Sequence, residues 1–227
     1  MSRRALVLFD LDGTLIDTAP DMAAALNDLL AAEGRAPLPF ADIRPHVSHG
    51  AAGLLRLGFG LEGDGTELHR LRTSFLDRYQ ANLAGASRLF PGIAELLQRI
   101  ETEDRAWGVV TNKPGWLTEP LLRLLGLDTR AAVIVSGDTL EQCKPHPAPL
   151  LHACTRTGFK PAEAIYVGDA ERDVAAGIAA GMDTFVALYG YLGPDDHPGA
   201  WGASALIEHP ADLGPYLQHP APSMQTP

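Results

Sequence analysis

Cysteine is almost absent from this 227-residue chain, which carries only Cys143 and Cys154. Two thiols, with no CxxC and no Cys/His cluster, exclude a disulfide scaffold and a zinc module and point to reduced thiols in an intracellular protein. Basic residues are scarce too: 18 Lys and Arg face 28 Asp and Glu, a net charge of −10. That balance argues against a nucleic-acid or anionic-membrane partner, because either would favour a basic face. Long apolar runs are missing. None approaches the roughly 20 residues that span a bilayer. The apolar stretch behind Met1-Ser2-Arg3-Arg4 stops at Asp10, short of the roughly 7–15 residues of an export signal. No Asn-x-Ser/Thr acceptor occurs, so the expectation is a cytoplasmic protein. The phosphate loop GxxxxGK[ST] is also lacking, which excludes that class of NTPase. Gly58-Phe-Gly60-Leu-Glu-Gly63 matches GxGxxG, but it follows a helical stretch instead of a strand and reads as a turn.

What the chain does have is 46% hydrophobic content, enough to enclose a substantial core. Residues 5–9 form a continuous apolar run ending at Asp10, the pattern of a strand buried on both faces. Similar runs follow at 107–110, 132–135, 164–167 and 184–187, with a weaker one at 205–207. Helical patterns at 93–100, 117–125, 149–157 and 174–180 separate them, and Gly126, Gly158 and Gly181 stand where helices should stop. Strands alternating with helices predict an α/β fold, a Rossmann-like, doubly wound parallel sheet. The region from about Thr18 to Ser87 breaks the alternation and reads as helices only, at 20–33, 40–44, 51–57 and 66–83. It is expected to be an inserted all-helical cap over 17–87, leaving 1–16 and 88–227 as the core. Its hinges fall near 15–17 and 84–89. The proline-rich tail His219–Pro227 reads as a frayed end.

The strongest chemical signal is Asp10-Leu-Asp12-Gly13-Thr14-Leu15. It sets two carboxylates at the carboxyl end of a buried strand, where open α/β sheets place their ligands. Aspartate is a poor strand residue, so Asp10 is not explained by sheet stability. Three other strand ends add polar groups at the same edge. Thr111-Asn112 follows one strand, Lys144-Pro145 another, and Gly168-Asp169-Ala-Glu-Arg-Asp173 a third. Singly, a threonine there bonds locally and a lysine is a solvated charge; together they converge. A phosphomonoester resists nucleophiles because it is anionic, so its cleavage needs charge neutralisation and positioning. Asp10 suits the nucleophile, giving an aspartyl-phosphate. Asp12 suits the acid and base, set among like charges from Asp10 and Asp169 that favour its protonated form at the outset. Asp10, Asp12, Asp169 and Asp173 carry four negative charges when ionised, so a phosphate dianion calls for a cation beside Lys144. An all-oxygen donor set favours Mg²⁺.

These motifs, in this order and with a helical block between the first two, resemble the haloacid dehalogenase superfamily over essentially the whole chain. Within it, Leu15-Ile-Asp17-Thr18-Ala-Pro20-Asp21, Trp107 to Pro114 and Lys144 to Leu150 are most similar to bacterial phosphoglycolate phosphatases. Tyr189-Gly-Tyr191 and Trp201-Gly-Ala203 look like a branch that includes N-acetylmuramic acid 6-phosphate phosphatases. The resemblance implies Mg²⁺ held by the Asp10 and Asp169 carboxylates and the Asp12 carbonyl, with Asp173 behind them orienting Lys144 or a metal-bound water. It implies phosphate contacts from Thr111, Asn112 and Lys144, the lysine also pairing with Asp10. Glu171 then reads as a solvated loop charge and Cys143 as non-catalytic.

In the helical block, Ser48-His49-Gly50 precedes a helix N-terminus whose free amides suit an anion. The three are candidate specificity residues, although Ser48 equally suits a helix cap and His49 a solvated side chain. The expected partner is a small phosphorylated metabolite, either 2-phosphoglycolate or N-acetylmuramic acid 6-phosphate, acted on by a monomer or homodimer. A phosphosugar mutase shares the nucleophile and remains an alternative. A receiver-like phospho-acceptor, which lacks a cap, is a remote one.

Overall fold

The computed structural model describes residues 5–63 and 65–218, so the proline-rich tail, the first four residues and Asp64 lie outside it. Six parallel strands form the central sheet: β1 (Leu6–Phe9), β4 (Ala106–Val110), β5 (Val133–Val135), β6 (Ala164–Gly168), β7 (Asp183–Ala187) and β8 (Ala205–Ile207). Two further strands, β2 (Ile16–Asp17) and β3 (Arg88–Leu89), form a separate antiparallel pair. The main sheet runs β5-β4-β1-β6-β7-β8. Counted along the sheet strands alone, that is the doubly wound order 3-2-1-4-5-6, whose direction of winding reverses beside β1. The receiver order 2-1-3-4-5 is not present, which removes that alternative.

The continuous apolar runs are buried on both faces, as their sequence requires. In β1, Val7 and Phe9 point into one hydrophobic layer and Leu6 and Leu8 into the other, all fully enclosed. Each such side chain contributes roughly 1.5–3 kcal/mol on burial. Helices α5 (Ile93–Thr102), α6 (Gly115–Leu124), α7 (Ala148–Thr157) and α8 (Glu171–Ala180) supply the crossovers. Gly126, Gly158 and Gly181 take φ of 68°, 78° and 75° just behind helices, the left-handed stop read from the sequence. Cys154 is buried, its thiol pushed up to about 11 by burial, while Cys143 is exposed and also free.

Between β2 and β3 lie only helices among the described residues: α1 (Ala19–Ala32), α2 (Phe40–Ile43), a 3₁₀ stretch over Arg44–His49, α3 (Gly50–Phe59) and α4 (Thr66–Ala81). Their buried faces, including Leu26, Leu30, Leu55, Leu71 and Phe75, continue the layer that holds Phe9. The GxGxxG match is the end of α3, where Gly60 adopts φ 67° and closes the helix. The chain enters and leaves this block side by side, Ile16 pairing with Leu89 and Asp17 with Arg88. Asp21 fastens the exit strand: its carboxylate accepts from the Ala86 N–H at 2.8 Å, the Ser87 N–H at 2.7 Å and the Ser87 hydroxyl at 2.6 Å. A two-residue ribbon is too short to show as alternation, so the sequence read both passages only as hinges. A last helix, α9 (Gly214–Gln218), closes the described chain.

Candidate active site

The sheet register brings the candidate residues to one edge. Phe9 pairs with Val109 on one side and Val167 on the other, so Asp10, Thr111 and Asp169 leave neighbouring strands at nearly one level. This is the crevice beside the reversal of strand order, where such sheets bind ligands. Asp10, Asp169 and Asp173 are buried and offer carboxylate oxygens within 4.8 Å of one another. Gly13 makes the turn possible: its φ is 86°, and a Cβ there would collide with the Asp169 carboxylate.

Lys144 is the counter-charge. Its Nζ lies 2.8 Å from both Asp10 Oδ1 and Asp173 Oδ1, 3.0 Å from the Val110 carbonyl and 2.7 Å from the Tyr166 hydroxyl. These four oxygens share its three protons, and its side chain has no exposure. Lys144 thus pairs with Asp10, one of the two contacts that the resemblance implies for it. The Asn112 side chain is committed within the loop. Its carboxamide donates to the Lys144 carbonyl at 2.9 Å and accepts from the Lys144 N–H at 3.0 Å, so the side chain anchors the lysine's backbone. Thr111 and Asn112 both line the cavity wall.

Burial, with the negative charges of Asp10 and Asp173, pushes the Asp169 carboxyl up to about 7, against the Tyr191 N–H at 2.9 Å and the Ser48 hydroxyl at 2.7 Å. Burial also raises Asp10, despite Lys144. Burial would raise Asp173 as well, but Lys144 and Arg172 outweigh it and hold this carboxyl low. Both Asp173 oxygens are engaged, Oδ1 by Lys144 and the Tyr166 hydroxyl and Oδ2 by the Ala170 N–H at 3.0 Å. Negative charge is thus left under-compensated at Asp10 and Asp169, an all-oxygen pocket that fits a hard divalent cation. Asp173 sits behind, orienting Lys144.

A cavity of about 750 Å³ opens above these residues, lined on the sheet side by Asp10, Asp12, Thr111 and Lys113 and on the helical side by Ser48, His49 and Gly50. Ser48 does not cap a helix; its hydroxyl reaches Asp169, while His49 is the residue before α3. Glu171 is exposed at the first position of α8.

Several residues escaped the sequence reading. Lys113 is buried with its Nζ 2.9 Å from Asp12 Oδ1, so a cation stands against the Asp12 side chain. Burial alone would lower this lysine, but Asp12 and Tyr79 hold it above its ordinary range. Arg172 lines the cavity beside the carboxylates. The Tyr191 hydroxyl accepts from the Thr18 and Ala19 amides at 2.7 and 2.9 Å and donates to Asp17 at 2.8 Å, serving the N-terminus of α1. Arg44 donates to the carbonyls of Gly190 and Tyr189 at 2.9 and 3.1 Å and stacks over the Tyr191 ring. Signals were faint: a lysine behind Thr-Asn and an arginine within an acidic turn look like ordinary solvated charges.

Comparison with known proteins agrees with this arrangement. Residues 7–187 match the family model of haloacid dehalogenase-like hydrolases. A phosphoglycolate phosphatase of Xylella fastidiosa (strain Temecula1) is 46% identical over 204 residues, 90% of this chain and 89% of the relative. An N-acetylmuramic acid 6-phosphate phosphatase of Pseudomonas aeruginosa (strain PAO1) is 44% identical over 211 residues, 93% of each. A crystal structure described as a predicted phosphoglycolate phosphatase from Haemophilus somnus superposes with a TM-score of 0.83 at 28% identity, covering 94% of this chain and 98% of that one. With the motif residues gathered on one sheet edge and the match running through all of them, the chain belongs to the haloacid dehalogenase-like hydrolases.

Proposed function

We propose that this protein is a Mg²⁺-dependent phosphomonoester hydrolase that works through an aspartyl-phosphate on Asp10, with 17–87 acting as a specificity cap over the remaining core. The observation that carries the reading is the buried trio Asp10, Asp169 and Asp173, whose carboxylate oxygens lie within 4.8 Å of one another, with a fully enclosed Lys144 bound to Asp10 and Asp173. Asp10, Asp169 and the Asp12 carbonyl would hold Mg²⁺, which supplies positive charge to the phosphoryl oxygens. Lys144 and the Leu11 N–H, 2.7 Å away, fix the Asp10 carboxylate for attack. As the bond from Asp10 to phosphorus forms and the ester bond breaks, a proton passes from Asp12 to the leaving oxygen. Asp12 then takes a proton from the water that cleaves the acyl phosphate. The Thr111 hydroxyl and the Asn112 amide receive non-bridging oxygens.

The cavity lining also bears on the substrate. Beyond Asp10, Asp12 and the Lys113 paired with Asp12, its charged members are Arg56, Arg72 and Arg172, with His46 and His49 beside them. A cationic wall in a protein of net charge −10 supports an ester carrying a second anionic group, such as a carboxylate. Both 2-phosphoglycolate and N-acetylmuramic acid 6-phosphate, the substrates that name the two relatives, meet that description. A phosphate-release panel with Mg²⁺, containing both esters and hexose phosphates without a carboxylate, tests the reading. Preferred release from a carboxylate-bearing ester, abolished by Asp10→Asn, is the expected result. Release that survives Asp10→Asn refutes the nucleophile, and isomerisation without release indicates a mutase.

A further inference from the structure

Lys113 has no part in the chemistry described so far, yet it is the cation in contact with the acid/base side chain. It leaves the end of β4 and is 8% exposed. Its Nζ stands 2.9 Å from Asp12 Oδ1 and 2.7 Å from the hydroxyl of Tyr79, a residue of α4 in the helical block. The same ammonium lies 4.5 Å from the centre of the Tyr79 ring. Thr18, just before α1, donates its hydroxyl to the same Asp12 oxygen at 2.6 Å. Two donors therefore converge on Oδ1, and Oδ2 has no protein partner among the described residues, while Asp12 itself lines the cavity. A carboxyl that must hand over a proton and take one back needs one oxygen immobilised and the other presented. Left to rotate, it would spend much of its time misaligned, and a misplacement of about 1 Å costs on the order of 100-fold in rate.

We propose that Lys113 is the positioning residue of the acid/base: it clamps Asp12 at Oδ1 so that Oδ2 meets the ester oxygen, and Tyr79 ties that clamp to the helical block above the site. The inference rests on the phosphatase reading and adds to it a route by which the cap helix α4 bears on proton transfer. Tyr79 is well suited to the task. Its ring is buried and stacked on Phe75, which fixes the hydroxyl where the lysine ends. Lys113 is itself held at its backbone, its N–H donating to Thr111 Oγ1 at 3.2 Å and its carbonyl accepting from the Thr118 hydroxyl at 3.1 Å.

Single-turnover kinetics with two esters test the proposal. An alkyl phosphate needs a proton on its leaving oxygen; p-nitrophenyl phosphate, with a stable phenolate, does not. Lys113→Met is expected to slow transfer from the alkyl ester by about 10- to 100-fold while slowing the p-nitrophenolate burst by less than about threefold. Tyr79→Phe, which keeps the ring and removes only the hydroxyl, should show the same split at about two- to fivefold. The phenylalanine variant carries the test alone if Lys113→Met does not fold. Equal losses with both esters, or no loss with either, overturn the proposal, since a merely structural residue would not distinguish leaving groups. Wild-type enzyme that releases phosphate from neither ester would instead overturn the phosphatase reading on which it stands.

Discussion

Replacing Asp169 by asparagine should make the metal-free protein more stable at neutral pH while destroying its use for a cation. Burial and the charges of Asp10 and Asp173 raise this carboxyl from 3.8 to about 7. A raised acid gives its full contribution to stability below its unfolded pKa and loses it as pH climbs through the folded one. The interval between 3.8 and about 7, at ~1.4 kcal/mol per tenfold, corresponds to roughly 4 kcal/mol of destabilisation above neutrality, an upper figure because neighbouring carboxylates titrate with it. Asparagine keeps an oxygen for the Tyr191 N–H and the Ser48 hydroxyl but carries no charge. In a chain of this length, 4 kcal/mol moves Tm by roughly 8–16 °C. Thermal unfolding in chelator should therefore show Asp169→Asn well above wild type at about pH 8 and close to it at about pH 4. Millimolar Mg²⁺ should raise the wild type and leave the variant unmoved. Parallel unfolding of the two proteins at both pH values would refute the reasoning, because it would mean that Asp169 is not a strained charge waiting for a cation.

Other perturbations follow from the same geometry. Since ion binding must expel the proton that Asp169 carries below about 7, apparent Mg²⁺ affinity should rise by up to about tenfold per pH unit toward neutrality, with proton release seen by calorimetry in buffers of different ionisation enthalpy. Gly13→Ala forces a side chain into the Asp169 carboxylate at a positive φ, so it should destabilise the fold by about 1–3 kcal/mol in chemical denaturation and weaken ion binding. Arg72→Gln, on the cavity wall, should raise KM for a carboxylate-bearing ester by about tenfold and barely change that for p-nitrophenyl phosphate.

How far the sequence could be read depended on whether a residue's role was local. The strands β1, β4 and β6 were legible because a sheet buried on both faces demands unbroken apolar runs, and their ends named Asp10, Thr111 and Asp169 directly. Parallel topology then brought those ends together without any further information. Side-chain commitments were not legible. Nothing in Thr111-Asn112-Lys113 says that the asparagine turns back to the Lys144 backbone or that the lysine reaches Asp12, since both depend on loops meeting across 32 and 101 positions of chain. The cation beside Asp12 was missed for that reason: motif spacing revealed the acids, while Lys113 reaches in from the loop behind β4. Tyr191 was noted for its likeness to one branch of relatives, yet its hydroxyl turned out to serve the first amides of α1 and the Asp17 carboxylate.

The ribbon formed by Ile16–Asp17 and Arg88–Leu89 has a consequence for how such proteins diversify. Because the helical block departs and returns through adjacent, paired residues, the parent sheet meets a closed loop whose ends are already joined, and the entropic cost of lengthening it grows only logarithmically. A different set of helices could be grafted onto the same two-strand stem without disturbing β1 or its aspartates. New substrate preferences can thus be installed by exchanging one excursion of the chain, with the phosphoryl-transfer machinery inherited intact.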